Sequence, residues 1–135
     1  WWPAYFDTVA ARLKPGGKAL IQSITIRDDL FARYRRGTDF IQQQIFPGGM
    51  LPSPSILKAE VERAGLRWKG AAEFGQDYAQ TLAEWRRRFL ASWGDIIAMG
   101  FDDRFKKLWQ FYLSYCEAGF RARTTDVMQV SLVRA

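Results

Sequence analysis

The stretch that most constrains the fold is residues 40–54, Phe-Ile-Gln-Gln-Gln-Ile-Phe-Pro-Gly-Gly-Met-Leu-Pro-Ser-Pro. Phe40, Ile41 and Ile45 sit at helical spacing, and the run is then cut by Phe46-Pro47-Gly48-Gly49. Proline cannot continue a helix, and paired glycines free the backbone for a sharp reversal. The sequence therefore calls for a rigid corner with an aromatic just ahead of it. Such a corner sets apolar side chains where a cleft can form.

The flanking pattern places that corner in an α/β domain. Pro3 to Leu13 reads as a helix, with Pro in the first turn and Tyr5, Phe6, Val9 and Leu13 at helical spacing. Lys14-Pro15-Gly16-Gly17 stops it. Lys18 to Ile26 then places Leu20, Gln22, Ile24 and Ile26 on one face and Ala19, Ile21, Ser23 and Thr25 on the other. This predicts a strand buried on both sides, as in a parallel α/β sheet. A helical segment is expected from Asp28 to about Ile45, and a helix over 56–64 capped by Ser53 or Ser55. A strand over 66–74 follows. Residues 77–99 predict one helix with a stripe of Tyr78, Leu82, Trp85, Phe89 and Trp93. Asp102 caps another, with Phe105, Leu108, Trp109, Tyr112, Leu113, Cys116 and Phe120 along one face. A strand over 126–134 closes the chain. Three strands with at least five helices make half of a doubly wound sheet. The aromatic stripes also need more partner surface than three strands offer.

With 135 residues, the chain fits one domain. Its 48% apolar and 16% aromatic content predicts a dense core or an apolar cavity rather than disorder. The absence of His excludes a Ser/His/Asp triad, and with one Cys it excludes a thiolate–imidazole zinc site. Cys116 has Tyr112, Leu113 and Phe120 as helical neighbours, which suits an apolar filler better than a nucleophile. No run approaches the roughly 18–20 apolar residues of a membrane span. The opening Trp1-Trp2-Pro3, in mid-pattern and without Met, reads as a piece of a longer protein. The net charge is +6, with fourteen Arg to six Lys. Basic residues cluster at Arg33/Arg35/Arg36, Arg86–Arg88, Arg104/Lys106/Lys107 and Arg121/Arg123. Solvated helix faces and attraction to lipid or nucleic-acid phosphate both produce such clusters.

Two polar residues stand out. Gln22 interrupts an apolar strand face near the strand's C-terminal end, where open α/β sheets place ligands. A buried amide there needs hydrogen-bond partners, and tying down a loop would also satisfy it. Tyr78 follows Gly75-Gln76-Asp77 at a helix start, where a phenol can lead into a cleft or simply pack half-buried. The Gly-Gly pairs at 16–17 and 48–49 lack the strand–loop–helix context of a dinucleotide site and read as turns.

Taken in order, several motifs resemble the C-terminal part of cyclopropane-fatty-acyl-phospholipid synthases and their mycolic-acid relatives, class I S-adenosylmethionine-dependent methyltransferases. They are Leu13-Lys14-Pro15-Gly16-Gly17, Ile45-Phe46-Pro47-Gly48-Gly49-Met50-Leu51-Pro52-Ser53 and Phe74-Gly75-Gln76-Asp77-Tyr78-Ala79-Gln80-Thr81-Leu82 with Trp85. Arg104-Phe105 through Tyr112-Leu113, Cys116-Glu117-Ala118-Gly119-Phe120-Arg121-Ala122-Arg123 and Gln129-Val130 complete the set. The resemblance covers essentially the whole chain. It implies that residues 1–135 are the C-terminal part of a single methyltransferase domain. The last three strands of a Rossmann-like sheet would be 18–26, 66–74 and 126–134, the last two an antiparallel pair. Segments 28–50 and 78–123 would be added helices forming an acyl-chain tunnel. The glycine-rich cofactor loop and the acidic ribose-binding residue would lie upstream of Trp1.

The same resemblance implies an activity. A methyl group moves from S-adenosylmethionine to a cis double bond of a phospholipid acyl chain, and loss of a proton from the resulting carbocation closes a cyclopropane ring. A bound bicarbonate serves as base, at positions that fall on Gln22, Ile24 and Tyr78. The acyl-chain-lining positions fall on Phe46, Leu82 and Cys116. Gln22 departs from the family's histidine: an amide can donate a hydrogen bond to bicarbonate but carries no charge and relays no proton. A methyl-branched product or another lipid is therefore an alternative, and a non-catalytic basic module on membrane or RNA is a second. The expected partners are the acyl chain and an anionic membrane surface, with no nucleic acid and with a homodimer left open. The expected location is cytoplasmic, peripheral to the inner face of the membrane.

Overall fold

A computed structural model describes residues 1–135. Helix α1 (Trp2–Arg12) carries Pro3 in its first turn, where the missing N–H has no helical partner to lose. After a turn through Gly16 comes β1 (Lys18–Ile26). Helix α2 (Asp28–Arg36) has Asp28 and Asp29 in its first turn and three arginines in its last, both favourable to the helix dipole. The helix expected to run on to Ile45 stops here. Gly37, Thr38 and Asp39 are three poor helix formers in a row. The chain restarts as a π-helical turn over Ile41–Ile45.

Ser53 rather than Ser55 caps α3 (Pro54–Arg63), its Oγ accepting from the Ile56 N–H, while the Ser55 N–H donates to Asp28 Oδ1 at 3.1 Å. Strand β2 spans Leu66–Glu73. The long helix expected over 77–99 is two: α4 (Gly75–Ala91) and α5 (Trp93–Ala98). The break falls at Ser92, in a Ser-Trp-Gly sequence of weak helix formers. It brings Trp93 within 5.9 Å of Phe89 and under the Lys106 ammonium. Asp102 caps α6 (Asp103–Arg121), accepting from the Phe105 N–H at 2.9 Å. Strand β3 (Thr125–Arg134) ends the chain.

The sheet order is β1-β3-β2, with β3 antiparallel to both neighbours. The outer strands therefore point the same way without touching. A parallel sheet was the simpler expectation; the inserted β3 makes every ladder in this chain antiparallel. One sheet face packs on α1 and α3 through Phe6, Leu57, Val61, Leu66, Met128, Val130 and Leu132. On the other face α4 and α6 form a second cluster, Ala79, Leu82, Leu113, Phe120 and Val127, at one end only. Burying each such large side chain contributes about 1.5–3 kcal/mol. The rest of that face stays open: Leu20 is 67% exposed and Gln22 is exposed. Two-sided burial of β1 is thus not what this chain achieves, because its second pair of helices stops short of the strand's first half.

The aromatic stripes meet each other and reach the sheet only around Val127. Phe89 lies 6.3 Å from Phe105, and Tyr78 lies 5.2 Å from Phe120. A polar tie joins the same two helices. Arg86 donates to Ser114 Oγ at 2.7 Å and lies 3.2 Å from Glu117 Oε2, while Arg121 holds the other Glu117 oxygen at 2.7 Å. The nearly buried Glu117 charge therefore sits between two guanidinium groups.

Candidate functional site

A cavity of about 850 Å³ opens between the end of β1, segment 28–51 and the second half of α6. Ile24, Ile26, Leu30, Ile41 and Phe120 give it apolar surface, and Tyr112 and Cys116 project from α6. Burial pushes the Cys116 thiol up to about 11 and the Tyr112 phenol up to about 12. Both stay protonated at neutral pH, so this wall is uncharged.

The opposite wall is the corner, held by a polar clasp. Asp39 Oδ1 accepts from the Gln42 N–H at 2.9 Å, and Gln42 Oε1 accepts from the Asp39 N–H at 3.0 Å. This is a reciprocal capping box, with Asp in the place of the usual Ser or Thr. The Gln42 amide then donates to the Gly49 carbonyl at 2.8 Å and to the Tyr34 hydroxyl at 3.3 Å. Tyr34 in turn accepts from the Leu51 N–H at 3.0 Å, and burial raises its phenol pKa. Tyr34 and Gln42 were not singled out in the sequence. The Asp-Phe-Ile-Gln spacing at 39–42 was the readable signal.

Of the three expected substrate-lining residues, Phe46 and Cys116 line the cavity. Leu82 does not: it is buried between α4 and α6 in the second core cluster. The three anion-site candidates share one side of the sheet. Ile24 lines the cavity and pairs with Val127, and Gln22 lies two residues back on the same face. Tyr78 packs on the cluster that contains Val127, its ring 5.9 Å from Trp85.

Gln22 is not buried, contrary to expectation. Its Oε1 accepts from the Gln129 amide at 3.0 Å, which leaves its own NH₂ free to donate. The Ile26 N–H donates outward to the Pro52 carbonyl at 3.0 Å. By strand alternation the Ile24 N–H points to the same outer edge of β1. Tyr78 does not line the cavity.

Gly16 and Gly17 donate to the Arg134 and Lys14 carbonyls, and Gly49 donates to Phe46. Both glycine pairs are closed turns.

The basic clusters separate into two kinds. Arg87 and Arg88 are paired with Glu84 at 2.7 Å, and Arg86 and Arg121 with Glu117. Arg33, Arg104 and Lys107 have no carboxylate partner.

An antiparallel last strand inserted between two strands of common direction, with helices added over one end, defines the C-terminal half of a class I S-adenosylmethionine-dependent methyltransferase. Solved structures agree. The cyclopropane synthase MmaA2 from Mycobacterium tuberculosis superposes with a TM-score of 0.87 at 22% identity, over 98% of this chain and 50% of that one. Mycolic acid cyclopropane synthase CmaA1, complexed with SAH and CTAB, gives 0.87 at 26% identity with the same coverage.

The mycolic acid cyclopropane synthetase family matches residues 1–130, and the chain belongs to it. Tuberculostearic acid methyltransferase UfaA1 of Mycobacterium tuberculosis is 40% identical over 134 residues, 98% of this chain and 31% of that protein. The cyclopropane-fatty-acyl-phospholipid synthase of Escherichia coli K12 is 35% identical over 134 residues, again 98% of this chain and 33% of the relative. The chain thus spans about a third of the curated relatives it matches and half of the solved structures.

Proposed function

We propose that the full-length protein carrying this chain is an S-adenosylmethionine-dependent lipid methyltransferase, acting on the cis double bond of an unsaturated phospholipid acyl chain to form a cyclopropane. The observation that carries the reading is the 850 Å³ apolar cavity ending at Ile24 and Phe120, next to the strand ends. Such a cavity holds a hydrocarbon chain in one path and excludes water from a cationic reaction. S-adenosylmethionine supplies the methyl group in this reading, and no residue here is assigned to binding it. Gln22, the Ile24 N–H and Tyr78 would hold bicarbonate, which supplies a base when bound. The rings of Tyr112, Phe46 and Phe120 present electron-rich faces where positive charge would develop.

A methyl-branched product is the second reading. Gln22, engaged with Gln129, carries no proton to relay, and UfaA1 is named a tuberculostearic acid methyltransferase.

The test is incubation of the full-length protein with S-adenosylmethionine and unsaturated phospholipid vesicles, followed by mass spectrometry of the released fatty acids. A ring product supports the first reading, a methyl branch supports the second, and no modified lipid sinks both. Tyr78→Phe should lower turnover about ten- to a hundredfold, the effect of losing one hydrogen bond to an anion in the transition state. Unchanged turnover would reduce Tyr78 to a packing residue.

A further inference from the structure

The exposed side of α6 carries a continuous stripe. Arg104, Lys107, Phe111, Tyr115 and Ala118 follow at spacings of three and four residues, which puts them on one helix face, and all five are exposed. Phe111 is 52% exposed, although its ring meets Phe40 edge-on at 4.6 Å. Tyr115 and Ala118 line the cavity, as do Phe46 and Met50 on the facing corner, with 59% and 39% of their surfaces exposed. The stripe therefore runs from two cations, through a belt of exposed apolar rings, to the mouth of the cavity. Arg33 lies at that mouth as well.

These cations differ from those of the Arg86–Arg88 cluster. Arg86, Arg87, Arg88 and Arg121 are each ion-paired, to Glu84 or to Glu117, so that the two carboxylates offset half of their charge. Arg33, Arg104 and Lys107 have no ion-pair partner. Asp102 is engaged as the α6 cap, Asp103 stands one turn before Lys107 without forming an ion pair with it, and Asp39 is held in the Gln42 capping box. Free cations beside exposed aromatic rings match the two layers of a bilayer surface, anionic phosphates outside and hydrocarbon just beneath.

We propose that the α6 stripe and the Phe46–Met50 corner form the docking surface for an anionic phospholipid bilayer, seated so that the cavity mouth opens onto the membrane. The proposal deepens the lipid-methyltransferase reading and rests on it for the purpose of docking. An acyl chain entering from this face would pass from bilayer to cavity without crossing water. The Arg86–Arg88 cluster, the more conspicuous in the sequence, is not part of this surface.

The experiment is sedimentation of the full-length protein with vesicles of phosphatidylglycerol and phosphatidylcholine, or of phosphatidylcholine alone, at low and high salt. The double variant Arg104→Glu/Lys107→Glu should bind anionic vesicles roughly 30-fold more weakly, from about 1 kcal/mol per cation at the surface. Phe111→Ser should weaken binding at high salt too, where the apolar contribution remains. Arg87→Glu/Arg88→Glu should change binding less than about threefold. Equal losses for the two charge reversals, no dependence on anionic lipid, or displacement of vesicles by an RNA oligomer would each overturn the proposal. Turnover of detergent-dispersed phospholipid separates the two readings. The Arg104→Glu/Lys107→Glu variant should keep it; a wild-type protein that binds vesicles but modifies no lipid would overturn the function and leave the surface standing.

Discussion

Gly75→Ala tests the joint on which the second layer depends. A β-carbon built at Gly75 lies 2.6 Å from Asp126 Oδ1 and 3.2 Å from Asp126 Cα. The carboxylate cannot swing away freely, because Oδ1 accepts from the Gly75 N–H at 2.8 Å and from the Val127 N–H at 2.7 Å. It also places a negative charge at the N-terminus of α4, where the helix dipole favours one. Losing a charge-assisted hydrogen bond costs about 1.5–3 kcal/mol, and forcing extra volume into a packed joint costs about 1–3. Alanine recovers about 0.5–1 kcal/mol by restricting the unfolded chain. The net expectation is destabilisation by roughly 2–4 kcal/mol, read as a lower urea midpoint at unchanged slope. Gly119→Ala is the contrast. Its β-carbon would lie 2.9 Å from the Thr125 hydroxyl, with Thr124 Oγ1 at an ordinary contact distance of 3.6 Å and no backbone atom of another element in reach. The Thr125 side chain can turn, and the helix interior gains about 1 kcal/mol from alanine. In the Gly75→Ala/Asp126→Ala double variant the losses should fall short of additive by about 1 kcal/mol or more, since the clashing carboxylate is gone. A stabilising Gly75→Ala, or strict additivity with Asp126→Ala, would refute the joint.

Cys116 should react with iodoacetamide at pH 8 about a hundredfold more slowly than an exposed thiol, because burial leaves little thiolate. Its folded pKa, about 11, lies above the ordinary value of 9.0, so its effect on stability is constant below pH 9. Between pH 9 and 11 the unfolded chain ionises first and stability falls as pH rises, a decline that Cys116→Ala should lessen. Rapid alkylation would mean the cavity wall is open to water. Gln42→Ala removes bonds to Gly49, Tyr34 and Asp39, each worth about 1 kcal/mol net, and should speed amide exchange at Leu51 while sparing α1 and α3. Gln42→Glu should not restore protection, since a carboxylate cannot donate to the Gly49 carbonyl. Unchanged exchange at Leu51 in Gln42→Ala would show that the corner holds without the clasp.

Local signals determined much of this protein. The Pro-Gly-Gly turns, the caps at Ser53 and Asp102, the alternation of Lys18–Ile26 and the aromatic stripe of α6 all act within a few residues, and each sets the element it predicts; the stripe over 77–99 is instead broken at Ser92. The motif order also carried the family. Tertiary structure decided what depends on neighbours distant in the chain. Gln22 is exposed and paired with Gln129 because α4 and α6 cover only the Val127 end of the sheet. Leu82 packs in the core rather than the cavity because the stripes of α4 and α6 face each other. Arg86 became a helix tie, while Arg104 and Lys107 stayed free, because only folding brings Glu117 to one and no carboxylate to the others. Charge in a sequence fixes which residues can pair. Which of them do is set by the three-dimensional placement of the few carboxylates.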